Sequence, residues 1–208
     1  MTEFLAGNAS DAADITAISQ LILRERESRD LARWGTMREC FWPDSLVRVS
    51  WFQGNGPDFV TGSIEMARRG IPAKHRLAPI LVRLAGDRAV ASLHGIIDLP
   101  VTLKGISATL STHSRFLYRA ERRENRWGLM GFDAIYMRDE LIPDLPGESI
   151  AIASSEVSGF RKSYRLLSYY LHSQGYKVDS TLPGEDMPET VQGLYQELFT
   201  WCGISVPK

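Results

Sequence analysis

Apolar residues at helical spacing mark the first long segment, DITAISQLILRERESRDLARW, at residues 14–34. Ile15, Ile18 and Ile22 share one helical face. The same face then turns charged, with Glu25, Arg26 and Arg29. A buried apolar stripe that ends in charged residues is typical of a helix that reaches a cavity or a solvent-exposed rim. The pattern therefore predicts a pocket near the end of this helix.

The pattern changes from helix to strand after residue 41. Pro43 predicts the end of a second short helix over 34–41, because proline disfavours the helical conformation in the residue before it. SLVRVSWF then alternates as a half-buried strand. After the break at GNGPDF, a helix is expected from Gly62, with Ser63 as a possible cap and Gly70 at its end.

Four strand-like stretches follow, at about 75–85, 87–100, 105–120 and 126–138. The turns between them are short and polar, and such turns join antiparallel neighbours. Helices followed by a meander predict an α+β fold in which a curved, mostly antiparallel sheet wraps the N-terminal helices.

Residues 145–208 have a helical rather than a strand-like pattern and are predicted to form a helical C-terminal extension. One apolar stripe at helical spacing ends before Gly175, and Asp186 with Glu189 resembles a capping box for a last helix. The stripe consists of Val157, Phe160, Tyr164, Leu167 and Leu171. These helices are expected to cover the back of the sheet, the pocket mouth or a second subunit.

Composition narrows the classes of partner. The 208 residues include 24 basic and 25 acidic side chains, a net charge of -1, so neither nucleic acid nor an anionic membrane is an expected partner. The two cysteines follow no disulfide or metal-ligand pattern, and no signal peptide or long apolar run is present. We therefore expect a cytoplasmic protein that binds a small, roughly neutral molecule and no metal.

Several short motifs occur in an order that resembles a known family. ERESRD ends the first helix, PDSLVRVSWF follows the second, HRL opens the sheet, GDRAVA lies at its turn and RWGLMGFDAIY is in the last strand. In this order and spacing they resemble the SnoaL-like branch of the NTF2-like superfamily over residues 10–140. The resemblance implies a cone-shaped domain with a pocket between helices and sheet, and commonly a homodimer through the outer sheet face.

The resemblance also implies a type of chemistry. The family includes polyketide cyclases, scytalone dehydratase and ketosteroid isomerase, which use the cone as a pocket. His75 falls where scytalone dehydratase has a histidine that protonates the leaving group. Trp51 and Arg26 fall at or near the positions of its two catalytic tyrosines, so both tyrosines are absent here. The early strand has no carboxylate in the place where ketosteroid isomerase has its base.

Two residues are candidate catalytic groups. His75 suits a general acid or base, because imidazole titrates near neutrality, and the alternative is a structural histidine at a strand start. Asp133 is predicted either as a carboxylate with a raised pKa in apolar surroundings or as a buried ion-pair partner of Arg26 or Arg29. Asp30 resembles an acid that serves the helix junction in this superfamily and is interpreted as structural.

The remaining candidates concern the pocket wall. Arg115 could anchor a carboxylate or enolate if its strand face points inward, although an outward, solvated face is favoured. His94 is assigned to the outer face or the rim. The other predicted pocket residues are Arg26, Trp51, Phe132 and Tyr136. The three aromatic side chains could equally belong to the hydrophobic core or to the wall of the pocket.

Two functional hypotheses follow. The first is a lyase, isomerase or cyclase without a cofactor, which acts by proton transfer on a small cyclic or aromatic carbonyl compound. It predicts His75 and Asp133 facing one open cavity of a few hundred Å3. The second is a non-catalytic module for ligand binding or dimerisation, with that space filled by Arg26 and Trp51.

Overall fold

The fold is given by a computed structural model that describes residues 9–205. The helices are α1 (Ala9–Asp30), α2 (Trp34–Glu39), α3 (Gly56–Arg68), α4 (Ser154–Val157), α5 (Arg165–Ser173) and α6 (Pro188–Cys202). The strands are β1 (Phe41–Val49), β2 (Phe52–Gly54), β3 (Lys74–Leu77), β4 (Leu81–Ala85), β5 (Arg88–Leu103), β6 (Ile106–Arg123) and β7 (Arg126–Pro143). A short 3-10 turn, Lys162–Tyr164, precedes α5.

All seven strands form one sheet in the order β2-β1-β7-β6-β5-β3, with β4 paired to the same strand, β5, as β3. Every pairing is antiparallel except that between β1 and β7. The long strands β5, β6 and β7 curve around the N-terminal helices. The predicted α+β fold with a curved, mostly antiparallel sheet is therefore confirmed.

The two faces of the long strands belong to two separate cores. Phe116 and Phe132 lie on the inner face and belong to the large core inside the cone, with Ile18 and Ile22 of α1. The outer face contributes a second, smaller core against α6, formed by Val90, Leu117, Ile135, Leu194, Leu198 and Phe199. Within a regular stretch of strand, a side chain's parity therefore decides whether it faces the cone or α6. On β7 the parity changes at the register shifts of its pairing with β6, so that Leu129 and Phe132 both face inward.

Several predicted boundaries differ in the structure. The expected strand 75–85 is two strands, because the chain breaks at Pro79, which has no N–H to donate to a ladder. Helix α3 begins at Gly56, where the Asn55 side chain accepts a hydrogen bond from the Asp58 N–H, and Ser63 is buried inside the helix. Strand β1 begins at Phe41, with an irregularity in its pairing to β7 that accommodates Pro43.

The tail folds as short pieces. The predicted stripe at 157–171 is divided among α4, the 3-10 turn and α5. The predicted capping box is wrong: Asp186 pairs with Arg161 at 2.6 Å, and the N-cap residue of α6 is Met187, whose side chain forms no capping hydrogen bond. Helix α5 lies over the mouth of the cone and α6 over the outer sheet face. In the part of the chain that is described, no helix is long and apolar enough to cross a membrane.

Candidate functional site

The interior of the cone contains a cavity of about 50 Å3, which is room for roughly three waters. Its wall is mainly apolar and comes from α1, α3, α5 and the inner sheet face. The polar side chains that line it include Arg26, Arg29, Ser50, His75 and Tyr136. The charged end of the α1 stripe therefore does reach a cavity, as its sequence pattern predicts.

A histidine and a carboxylate are paired at one side of this cavity. His75 opens β3, and its Nδ1 lies 2.5 Å from Oδ1 of Asp30, the last residue of α1. The His75 backbone N–H donates to Oδ2 of the same carboxylate at 2.8 Å. The His75 side chain is only 5 % exposed and contacts the Phe116 ring edge-on. Asp30 thus holds both the backbone and the ring of His75.

The electrostatics of the pair favour a neutral imidazole beside an ionised carboxylate. Burial, and secondly the Arg26 cation, hold the pKa of His75 below its ordinary value of 6.5, against the opposing hydrogen bond to Asp30. Burial would raise the pKa of Asp30, but its hydrogen bonds with His75 bring it below the usual value. With Nδ1–H donating to Asp30, the tautomer inferred from these bonds leaves Nε2 unprotonated, with a lone pair that can accept a hydrogen bond.

Arg26 is the nearest polar neighbour of that lone pair. Its Nη1 lies 3.4 Å from His75 Nε2, and its guanidinium is bound in bidentate fashion by the buried Glu25 carboxylate. The Arg26 Cζ also lies 4.7 Å from the centre of the Phe132 ring. This anchored cation faces the cavity beside the imidazole and lowers the pKa of that ring.

An open groove of about 730 Å3 lies beside the same pair. Arg26, Asp30 and His75 line it, so His75 and Arg26 border both the groove and the cone cavity. The other residues that line the groove come from α1 and β3 and are Gln20, Leu23, Arg24, Glu27, Leu31, Lys74 and Leu77. The pair is therefore close to solvent although it is buried.

The predicted aromatic wall residues all line the cavity. Trp51 stacks on Phe59 with ring centroids 5.3 Å apart, and Phe132 stacks on Tyr118 at 4.7 Å. The Tyr136 hydroxyl accepts a hydrogen bond from the Ser50 N–H at 2.7 Å. Their part in binding a substrate remains a prediction, because these contacts also belong to the packed core.

Asp133 does not face the cone, so the prediction that it lies beside His75 is wrong. It lies on the outer face of β7, where Arg48 on the neighbouring β1 reaches it at 2.5 Å and Arg119 at 3.6 Å. Burial raises its pKa, although these two cations oppose that effect. Asp133 therefore does form a buried ion pair, but its partners are Arg48 and Arg119. The expected partners, Arg26 and Arg29, line the cavity and do not reach the outer face.

Arg115 also lies outside the cone, so its place in the predicted pocket is wrong. It is on the outer face of β6, where it donates to the Tyr195 hydroxyl of α6 at 3.2 Å. His94 lies 3.4 Å from it on the same face. His113 approaches Glu140 at 3.3 Å on that face too. The cause is parity, because Phe116 and Leu117 show that even-numbered residues of this part of β6 point inward.

Sequence reasoning missed the role of Asp30 as the partner of His75. Both motifs that carry the pair were identified, ERESRD at the end of α1 and HRL at the start of the sheet. Their contact joins residues 45 positions apart, so no local pattern reveals it. Among residues 9–205, no group of three His, Cys, Asp or Glu side chains could hold a metal ion.

Solved structures with the same fold support the architecture. A hexachlorocyclohexane dehydrochlorinase, LinA type 3 from Novosphingobium barchaimii, has a TM-score of 0.56 and 15% identity, covering 68% of this chain and 97% of its own. A protein described as a candidate scytalone dehydratase, from Novosphingobium aromaticivorans, has a TM-score of 0.52 and 12% identity, covering 68% of this chain and 98% of its own. At these identities the likeness concerns the fold alone.

Sequence comparison gives the family. An uncharacterised protein of Emericella nidulans is 27% identical over 165 residues, which are 75% of this chain and 69% of the relative. The model of the SnoaL-like domain matches residues 10–131, more than half of the chain. With this match and the observed NTF2-like cone, the chain belongs to the SnoaL-like domain family.

Proposed function

We propose that this protein is a lyase or isomerase without a cofactor, acting on a small, mainly apolar molecule by proton transfer in the cone. The observation that carries the proposal is the pair of Asp30 and His75 at the cavity wall. A neutral imidazole with an unprotonated Nε2 and a carboxylate behind Nδ1 is the arrangement of a general base, once a substrate displaces the long Arg26 Nη1 contact of 3.4 Å from Nε2. This proposal replaces Asp133 by Asp30 as the partner of His75.

The proposed step is a proton abstraction from carbon. His75 Nε2 takes the proton, and the electron pair of the C–H bond forms a carbon–carbon double bond with the neighbouring carbon. In an elimination, a leaving group on that carbon departs with its bonding electrons. In an isomerisation, the electrons move onto a carbonyl oxygen, and the proton returns at another carbon. Asp30 stabilises the imidazolium that forms and keeps the ring in one orientation.

The reaction types named for the similar structures agree with elimination. A dehydrochlorinase and a dehydratase each remove a small molecule, HCl or water, and both share the cone fold with this chain. We extend to this chain only the reaction type and not the substrate. A cytoplasmic location belongs to the same proposal and is supported by Cys40 and Cys202, which are buried, unpaired thiols suited to a reducing compartment.

The volume of the cavity supports a second candidate, a ligand-binding module without catalysis. A cavity of about 50 Å3 is smaller than the few hundred Å3 expected for an enzyme pocket. Arg26 and Trp51 are among the residues that line this small cavity. For the enzyme, a ring-sized substrate requires displacement of wall residues, such as Leu167 and Leu171 of α5 at the mouth.

The two candidates are separated by a substrate panel. Cyclic β-hydroxy ketones and chlorinated cyclohexanes are incubated with the purified protein, and products are measured by mass spectrometry. On any substrate found, we expect His75→Ala to lower kcat/KM by about 100-fold or more, the effect of a lost base. Asp30→Asn is expected to lower it too, because the imidazolium loses its stabilising charge.

The matched control is His94→Ala, a histidine on the outer face of the same sheet. We expect it to cost less than about tenfold. Compounds that raise the melting temperature without turnover would support the binding module. A His94→Ala effect larger than that of His75→Ala would contradict the assignment of the base.

A further inference from the structure

Arg29 is a buried cation at the cavity that the proposed chemistry does not use. It lies on α1, is 6 % exposed and lines the cone together with His75. Its Nη2 donates to the Met66 sulfur at 3.6 Å, and its Cζ lies 5.6 Å from the Trp34 ring centre. A thioether is a weak acceptor, and it is the one side-chain hydrogen-bond acceptor of this guanidinium within residues 9–205.

The other buried arginines differ from Arg29 in this respect. Arg26 is bound by Glu25, and Arg119 lies 3.6 Å from Asp133. Within residues 9–205, no carboxylate forms an ion pair with Arg29. A buried guanidinium outside any ion pair is costly, and burial together with the Arg26 cation lowers the pKa of Arg29 to about 10, although the charges of Asp30 and Glu25 oppose this from beyond ion-pair distance. The site therefore gains from a negative group brought in from outside.

We propose that Arg29 binds the anionic group of a small apolar carboxylate, which is the class of ligand that enters the cone. The assignment rests on the proposed function, because it names the substrate class of the same site. Guanidinium presents a planar fork of donors that matches a carboxylate in bidentate geometry. The mainly apolar wall, with Phe116, Phe132 and Trp51, suits the remainder of the molecule.

The volume of the cone cavity is compatible with a carboxylic acid whose anionic group is small. The cone cavity has room for roughly three water-sized groups, which is about the size of a carboxylate head. An apolar body larger than this requires movement at the mouth. His75 and Arg29 line the same cavity, so an acid held at Arg29 has its apolar part in the compartment that His75 faces.

The test compares anions with neutral molecules of the same shape. Acetate against acetamide, and benzoate against benzamide, are titrated into the full chain at pH 7 by calorimetry and by NMR. We expect each carboxylate to bind at least about tenfold more tightly than its amide, the effect of one charge-assisted contact. Arg29→Met should abolish this preference, whereas Arg29→Lys should keep part of it.

Arg33→Met is the matched control, since Arg33 follows α1 and its side chain is 59% exposed. It should leave the preference unchanged. If Arg29→Met does not fold, the wild-type preference and the Arg29→Lys variant decide. Equal binding of carboxylate and amide by the wild type, or an unchanged preference in Arg29→Met, would overturn the proposal. His75→Asn should still prefer carboxylates, so a failure of catalysis is distinguished from a failure of anion binding.

Discussion

At the scale of residues, the chemistry of the site depends on how one imidazole is held. Asp30 binds both the ring and the backbone N–H of His75, and Arg26 lies on the opposite side of the ring. Because the carboxylate and the cation act in opposite directions, burial decides the outcome and the ring stays neutral near pH 7. A neutral ring can accept a proton, which an imidazolium cannot.

We expect NMR titration of labelled protein to give His75 a pKa below 6.5. In Asp30→Asn the pKa should fall further, because the charge that favours the imidazolium is gone. The unfolded chain binds a proton in a range where the folded ring does not, so this residue makes the free energy of unfolding decrease as pH falls below 6.5. A His75 pKa above 6.5, or a rise in Asp30→Asn, would show that the environment of the ring is different.

At the scale of elements, α5 closes the mouth of the cone and is tied to the sheet at its first turn. Oδ2 of Asp139 on β7 accepts hydrogen bonds from the backbone N–H groups of Leu166 and Leu167, at 2.8 and 2.9 Å. These are donors that a helix N-terminus leaves without a partner inside the helix. Leu167 and Leu171 on the buried side of α5 line the cavity. A single carboxylate therefore connects the sheet to the element that covers the site.

We expect Asp139→Ala to lower the free energy of unfolding by about 0.5 to 2 kcal/mol, the usual cost of losing a helix cap. Amide exchange should accelerate in α5 and remain unchanged in β6. Denaturant unfolding and exchange mass spectrometry provide the two measurements. Asp139→Asn keeps an acceptor oxygen and should cost less. Faster exchange across the whole sheet would mean that Asp139 supports the core and not α5 in particular.

At the scale of the whole molecule, the sheet has a core on each of its two faces. The inner core fills the cone, and α6 covers part of the outer face through Leu194, Leu198 and Phe199. The outer face is the expected homodimer interface. In the structure, α6 packs on this face and covers Val90, Leu117 and Ile135. A dimer through this face must therefore form beside α6 or include it.

The homodimer stays a prediction, and sedimentation tests it. We expect a species of twice the 23.3 kDa chain mass at micromolar concentration. Leu198→Glu, which places a charge in the contact between α6 and the sheet, should change the association. The exposed Leu145→Glu serves as control. A 23.3 kDa species for the wild type would mean that α6 alone covers this part of the outer face.

The sequence by itself determined the elements whose pattern is local. The stripe of Ile15, Ile18 and Ile22 specifies α1 and points to the cavity at its charged end, because helical periodicity brings these residues to one face. Alternation and short polar turns specify β5, β6 and β7 and their antiparallel order. Both signals involve residues close along the chain, so the expected α+β cone followed from them and from the family motifs.

Only the tertiary structure decided which strand face points into the cone and which distant residues meet. Asp133 and Arg115 are on strands whose two faces are both covered, so polarity does not identify the inner side. Asp30 and His75 meet because the end of α1 packs against the start of β3, 45 residues later. Among residues 9–205, Arg29 forms no ion pair with a carboxylate for the same reason: its neighbours come from several elements, and only their packing determines which charges reach one another.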